Sequence, residues 1–398
     1  VVRRVRPPIA LSVDLRLKEF ANARQIQYID AVHKHGGVRA AARAMNVCHS
    51  SVQGALVSAA RTAALRGYAP AEDMNHKVPD GFSVKGISTY YNSDGKVTGQ
   101  WVKSKEDTER REEIVRESIR VLSEDVRGLS PIVTPPQRVN EDLLAVYPLG
   151  DPHVGMSAWA QEAGADFDLH IARKLTLGAF DRLISAAPAA HTAVVLPLGD
   201  IFHIDSQTNV TPGHGHQLDA DGRFVKVLQV GIEMYRHAIL RCLEKHQHVV
   251  VRFMAGNHDP HSVWALSFTI AAYFSEEPRV MVDLSPAKHW FYRFGKVLIG
   301  ATHGDTVRPE DLLGVMVADR AQDWGETKHR YWYTGHIHNQ SVRELPGGLI
   351  AESFRTLAAR DAYASGKGYR AGRDMRLIVH DREHGEIERH RCDVGMVE

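Results

Sequence analysis

Cysteine is scarce. Cys48, Cys242 and Cys392 are the only three in 398 residues, odd in number and far apart. That excludes a disulfide framework and a thiolate metal site, and it fits a reducing compartment. Long apolar runs are missing as well. No stretch approaches the ~20 residues that a membrane-spanning helix needs. The opening VVRRVRPPIALSVDL is basic, with neither the apolar core nor the small-residue cleavage site of a signal peptide. It also lacks an initiator Met, so residues upstream are expected, and the expected location is cytoplasmic. Acidic residues are absent from Ala31–Pro70, which carries five Lys/Arg. The net charge of +1 hides this bias: residues 1–140 hold 22 Lys/Arg against 15 Asp/Glu, and the remainder 27 against 33. A basic amino-terminal module joined to an acidic body points to a polyanionic partner for the first. With 43% hydrophobic and 24% charged residues the chain is otherwise an ordinary globular one, long enough for two domains.

In the basic module, Leu15 to His35 reads as a helix that Gly36-Gly37 breaks. Val38 to Met45 reads as a short Ala-rich helix, Asn46-Val47-Cys48 as a turn, and His49 and Ser50 as caps of a helix reaching about Leu65. The bland reading is an αα-hairpin. The arrangement also resembles a helix-turn-helix DNA-binding motif, with Ala42 at the helix crossing and Val52 packing inward. That resemblance implies DNA contacts from Arg39, Arg43, Ser50, Ser51, Gln53 and Arg61. Residues 82–102 alternate around Asn92-Ser93-Asp94-Gly95, which predicts a β-hairpin with Asp-Gly at its turn. Tyr90, Tyr91, Trp101, Lys103 and Lys105 are available there to nucleic acid, but a small β-wing or docking ribbon is the favoured reading. Lys105 to Val126 reads as a charged helix with a solvated face. Ser130-Pro131 to Pro135-Pro136 reads as a linker.

From Glu141 strands and helices alternate. Five apolar runs each end in Asp, Asn or His: LGDPHVGM with Asp151 and His153, LPLGDIFHID with Asp200 and His203, VVRFMAGNHDPH with Asn257, His258 and Asp259, LIGATHGD with His303, and YWYTGHIH with His336 and His338. In open α/β sheets the carboxyl edge of the strands is where ligands bind. Carboxylate, carbonyl and neutral imidazole donors suit Mn²⁺, Fe²⁺, Zn²⁺, Mg²⁺ or Co²⁺. A pair of such ions ~3.5–4 Å apart forms a clamp for in-line displacement at phosphorus. With 23 His in the chain, any one of them is most simply a polar loop residue.

The order D-x-H, GD, GNHD, H, GHxH resembles the calcineurin-like metallophosphoesterase superfamily over roughly residues 141–398. The resemblance implies an α/β fold, a four-layer αββα sandwich of two mixed sheets with helices outside. It implies two divalent metal ions, Mn²⁺ first among the candidates. Asp151, His153 and His338 would hold one, Asn257, His303 and His336 the other, and Asp200 would bridge them. It further implies a metal-activated water as nucleophile, with His258 helping the leaving oxygen and Asp259 orienting that imidazole. GDIFH and DPHVG are similar to the matching runs of the SbcCD-type DNA repair nucleases, in which a histidine at the position of His203 assists at the phosphate. The acidic-Arg-Gly run that follows GD in phosphoprotein phosphatases is absent. About 60 residues follow the last motif, with no segment resembling an ATPase-binding one.

The resulting expectation is a domain series of 1–75 (helix-turn-helix), 76–130 (hairpin and charged helix), 131–140 (linker) and 141–398 (catalytic). The expected function is a two-metal DNA phosphodiesterase, a nuclease, in an arrangement resembling phage and prophage proteins. Two further insertions border the expected site. Asp205 to Phe224 offers His214 and His216 as candidate substrate contacts, with a plain surface loop the equal alternative. Arg355 to Arg373 carries Arg355, Arg360, Lys367, Arg370 and Arg373 on a Gly-rich loop, candidate contacts to a nucleic-acid backbone. Alternatives are a phosphatase or phosphodiesterase for small nucleotides or phosphoproteins, and a DNA-binding regulator or virion component with a vestigial site. Self-association into a homo-oligomer is left open.

Overall fold

The computed structural model describes residues 13–70, 74–75, 82–92, 97–106, 124–207, 209–213 and 215–397. The Asp94-Gly95 turn, most of the charged helix expected from Lys105 to Val126, and His214 lie outside the described residues. The chain divides into two compact units, Val1–Ser118 and Ile119–Glu398. No helix among the described residues is long and apolar enough to cross a membrane.

In the first unit, α1 (Ala23–His35), α2 (Val38–Ala44) and α3 (His49–Leu65) surround a small core of Tyr28, Val32, Ala41, Ala42 and Val52. The single helix expected over Leu15–His35 is broken. Leu15–Phe20 is a 3₁₀ turn, and Asn22 and Gln25 form a reciprocal capping box that starts α1 afresh. A side chain that satisfies orphan N–H groups favours a new start over a continuous helix. Gly36 ends α1 with φ 72°, and Asn46 takes φ 52° in the next turn, as its short polar side chain allows. The cap of α3 is Cys48 rather than His49 or Ser50, and its side chain makes no capping bond. Short strands β1 (Tyr68–Ala69) and β2 (Met74–Asn75) pair, and β3 (Phe82–Tyr91) and β4 (Val97–Glu106) form the expected antiparallel ribbon.

The second unit contains β5 (Asn140–Leu149), α4 (Ala160–Ala163), α5 (Leu169–Ala186), β6 (Ala190–Pro197), α6 (Phe224–Lys245), β7 (His248–Val251), α7 (Ser262–Tyr273) and β8 (Val280–Val282). It continues with β9 (Trp290–Phe294), β10 (Val297–Ala301), α8 (Leu312–Asp319), α9 (Ala321–Glu326), β11 (His329–Thr334), β12 (Ser341–Leu345), β13 (Leu349–Ser353), α10 (Ala362–Gly366), β14 (Asp374–Asp381) and β15 (Gly385–Asp393). One sheet runs β15-β14-β5-β6-β7-β8, with β5 to β8 parallel. The other runs β12-β13-β11-β10-β9, with β13, β11 and β10 parallel.

The inner strands β5, β6, β7, β10 and β11 are apolar on both faces because each face meets a different layer. In the first sheet, Leu144, Val146, Val194, Leu196, Val250 and Ile378 share one core with Val297, Ile299, Tyr331 and Tyr333 of the second. Their neighbours Ala145, Tyr147, Val195 and Val251 turn to the opposite face and meet Phe180 of α5, Met234 of α6 and Leu266 of α7. On the outer face of the second sheet, Leu298, Trp332 and Leu349 meet Leu312 and Met316 of α8. Four layers result: helix, sheet, sheet, helix. The proline-rich stretch before β5 lies along this unit. Ser130 N donates to Tyr273 O at 3.1 Å, and Arg279 Nη2 to Val133 O at 2.7 Å.

Candidate metal centre

Every strand end singled out in the sequence lies at one edge. Asp151 and His153 follow β5, Asp200 and His203 follow β6, Asn257 to Asp259 follow β7, His303 follows β10, and His336 and His338 follow β11. Backbone bonds tie these loops together. Leu198 N donates to Leu149 O at 2.9 Å, His153 N to Asp200 O at 3.0 Å, and Gly335 N to His303 O at 2.9 Å.

The backbone is strained where the candidate ligands sit. Among the described residues only seven other than glycine have positive φ. Five of them are Asp151 (41°), His153 (45°), Asp200 (45°), His336 (67°) and His338 (52°); the others are Asn46 and Asn209. An L-residue in this region costs of order 1 kcal/mol or more, and such residues cluster at functional sites. The left-handed kink is what turns each side chain out of its strand toward a common centre.

Two donor groups result. Oxygen and nitrogen atoms of Asp151, His153 and His338 lie within 4.8 Å of one another, as do those of Asp200, His303 and His336. His153 Nε2 is 3.1 Å from His338 Nε2, and His303 Nε2 is 3.1 Å from Asn257 Oδ1 and 3.3 Å from Asp200 Oδ2. Donors ~2.1 Å from a shared cation are ~3.0–3.4 Å apart, so these separations fit edges of a coordination shell. His303 Nδ1 donates to Leu198 O at 2.8 Å. That bond fixes the proton on Nδ1 and leaves Nε2 free as a donor to a metal.

Charge in the centre is balanced without exposure. Asp151, Asp200, Asp259, His153, His203 and His303 are all buried. Burial raises the Asp151 carboxyl well above its usual range, and the neighbouring Asp200 adds to that. Burial would raise Asp200 too, but the charge and hydrogen bond of His303 outweigh it and hold its carboxyl below the usual range. Burial opposes a proton on His303, yet Asp200 and Asp151 outweigh burial and raise it to about 10. His203 falls to about 3 and His338 to about 4, both mainly by burial. His153 also falls by burial, with His258 and His338 adding to the effect. Neutral His153 and His338, facing nitrogen to nitrogen, need a shared proton or a cation between them.

The remaining assignments are only partly as expected. His258 lies beside the centre. Its N–H donates to Asp200 Oδ1 at 2.7 Å, and its Nδ1 bonds His203 O at 3.0 Å. Asp259 therefore does not orient the His258 ring. Its oxygens accept instead from the N–H groups of Ile201 (2.7 Å), Phe202 (3.2 Å) and Gly256 (2.9 Å), so it clamps the loops after β6 and β7 together. Burial and Asp200 raise it to about 7. His203 Nδ1 is 3.2 Å from His153 Nδ1, and ring nitrogens of His153, His203 and His258 form a third group that could hold an ion.

Two supports had no sequence signal of their own. Thr356 Oγ1 donates to Asp151 O at 2.6 Å. Asp205 Oδ1 accepts from Ser262 N and Ser262 Oγ, both at 2.7 Å, and fastens the start of α7 behind the His258 loop. Of the Arg-rich loop, Arg355 Nη1 is held by Asp374 Oδ2 at 2.8 Å and Arg373 Nη2 donates to Leu357 O at 2.7 Å, so these two are internal struts. In the first unit Arg39, Arg43, Ser50, Ser51, Gln53 and Arg61 are all exposed.

No protein-family model matches the chain, and no curated protein matches it. Solved structures align with it weakly. A conserved uncharacterised protein from Streptococcus pneumoniae TIGR4, a predicted phosphoesterase, is 11% identical over 64% of this chain and 99% of its own, with TM-score 0.27. A single mutant of Vps29 from Entamoeba histolytica is 15% identical over 63% and 98%, with TM-score 0.28. A dimetal phosphatase from Danio rerio is 8% identical over 63% and 99%, with TM-score 0.34. At such identities and TM-scores these likenesses establish no kinship, and the site stands on its own donors.

Proposed function

We propose that the chain is a two-metal phosphodiesterase that hydrolyses DNA. The observation that carries the catalytic part is the strained convergence at the strand ends: Asp151, His153, Asp200, His336 and His338 all adopt left-handed backbone to bring their donors together. Asp151, His153 and His338 would hold one divalent cation, Asn257, His303 and His336 the second, and Asp200 both. Two bound dications supply positive charge to phosphoryl oxygens and lower the pKa of a water molecule.

The chain's own residues do the rest. Two carboxylates against two dications leave a cationic site, which suits an anionic phosphodiester. The bond from His258 Nδ1 to His203 O leaves Nε2 as the free ring nitrogen, which in the imidazolium form would give its proton to the departing alcohol and be left as the neutral ring. Asp200 fixes the peptide that carries this ring, and Asp259 holds that loop against the one bearing His203.

Support for DNA comes from the first unit. Its 31–70 stretch has five Lys/Arg and no acid, and the six side chains named above are exposed on it. The test is cleavage of linear and single-stranded DNA with Mn²⁺, comparing wild type with Asp200→Ala and His258→Ala. Metal-dependent cleavage lost in both variants is the expected result. Turnover of a small phosphoester without cleavage of any DNA would overturn the nuclease reading and favour a small-molecule phosphoesterase.

A further inference from the structure

We infer that residues 159–164 and 360–370 form a stacking platform for unpaired bases of a single-stranded nucleic acid at the rim of the metal centre. The inference deepens the phosphodiesterase reading and rests on it for its meaning, but it makes a prediction about binding alone.

Three large aromatic side chains stand in water on these segments: Trp159, Tyr363 and Tyr369 are 60%, 67% and 58% exposed. Both segments leave the metal centre directly. Trp159 is six residues beyond His153, hence within ~20 Å of it along the chain. The other segment is anchored by the bond from Thr356 Oγ1 to Asp151 O, four residues before Arg360. The two are joined to each other. Ser365 Oγ donates to Glu162 O at 3.0 Å, and the Arg360 guanidinium lies against Gly164, where a Cβ would come within 2.7 Å of its Nη2.

Among the described residues no carboxylate neutralises the charges between these rings. Arg360 Nη1 donates to Tyr369 O at 3.4 Å, and Arg370 Nη1 to Tyr369 O at 2.8 Å and Ser365 O at 3.2 Å. Lys367 Nζ lies 5.7 Å from the centre of the Tyr363 ring. These partners are carbonyls and a π face. Among the described residues no carboxylate forms an ion pair with Arg360, Lys367 or Arg370, whereas Arg355 in the same loop is held by Asp374. Asp361, the one acid in residues 360–370, accepts from Ala364 N at 2.7 Å as a helix cap.

Exposed rings interleaved with uncompensated cations match a ligand that has both flat apolar faces and a negative backbone. A duplex buries its base faces in its own stack, so the matching strand is single. A protein partner would be expected to supply acids to three free cations and would not need open ring faces.

The test uses the full chain in EDTA, so that binding is read without turnover. Affinity for a fluorescein-labelled oligothymidylate and for a duplex of equal length is measured by anisotropy. The variant is Trp159→Ala/Tyr363→Ala/Tyr369→Ala, with its melting temperature as the folding check. The expected result is a loss of roughly 5- to 100-fold per stacked base for the single strand, with the duplex little changed. Because folding at exposed sites could still be disturbed, wild type is also photo-cross-linked to 5-iododeoxyuridine oligonucleotides, and the expected adducts fall at Trp159, Tyr363 or Tyr369. Unchanged single-strand affinity, an equal loss for the duplex, or adducts confined to other segments would overturn the inference. Absence of cleavage by wild type in a separate assay would count against the phosphodiesterase reading alone.

Discussion

The backbone N–H of His258 donates to Asp200 Oδ1 at 2.7 Å. The carboxylate proposed to bridge two cations therefore also sets the position of the imidazole proposed to protonate the leaving oxygen. On the proposed reading, metal binding and proton transfer would be linked through one side chain, and mutation can separate the two.

Removing the imidazole alone should spare the metals. His258→Ala is expected to lower kcat by ~10²–10⁴-fold, the usual contribution of general acid help, with metal content unchanged. The loss should shrink for a nitrophenyl ester, whose leaving group needs no proton. Equal losses for both substrates would remove His258 from that role.

Asp200→Asn keeps the shape of the side chain but weakens its hold on two cations. It should lower bound metal below two per chain by elemental analysis and reduce turnover by at least ~10²–10³-fold. Full metal content in this variant would contradict a bridging role.

Gly256 is required by close approach rather than by its own torsion. A Cβ there would lie 2.0 Å from Asp200 Oδ1 and 2.2 Å from Asp200 N. Gly256→Ala must push the GNHD loop away from Asp200, at a cost of ~1–3 kcal/mol in stability and with weaker metal binding. Denaturant melts and metal titration check both. Wild-type stability and affinity would show the approach to be looser than described.

The metal-free protein should carry a pH signature at His303. Its folded value of about 10 lies above the ~6.5 of an unfolded imidazole. The stability it contributes is therefore fully present below ~pH 6.5 and is lost as pH rises toward 10. Asp200 has the opposite sign: its depressed carboxyl contributes above ~pH 3.9 and less as pH falls below that. Metal uptake near pH 7.5 must expel the His303 proton. Calorimetry of Mn²⁺ binding in buffers of different ionisation enthalpy should show proton release, reduced in His303→Gln. No buffer dependence would mean that His303 is already neutral.

Much of the second unit was legible because its inner strands are buried on both faces. Runs such as Thr192–Leu198 and Val249–Met254 stand out as apolar and β-branched, and the donors at their ends follow in chain order. What escaped depends on partners distant in sequence. β15 (Gly385–Asp393) reads GEIERHRCD, with no apolar alternation, because it is an edge strand: Ile387 is exposed, while Arg389 and Arg391 are taken up by Glu352 of β13 and Asp374 of β14. Arg355 and Arg373 looked like free cations until β13 and β14 brought Asp374 and Leu357 O to them. Asp259 follows His258 directly and so reads as its partner, but the loop turns its carboxylate away to three backbone N–H groups.

The most direct measurement is anomalous X-ray diffraction from crystals of the full chain equilibrated with Mn²⁺. Two peaks are predicted, one among Asp151, His153 and His338, the other among Asn257, His303 and His336, with Asp200 touching both. An empty centre, or a single ion that Asp200 does not contact, would contradict the account.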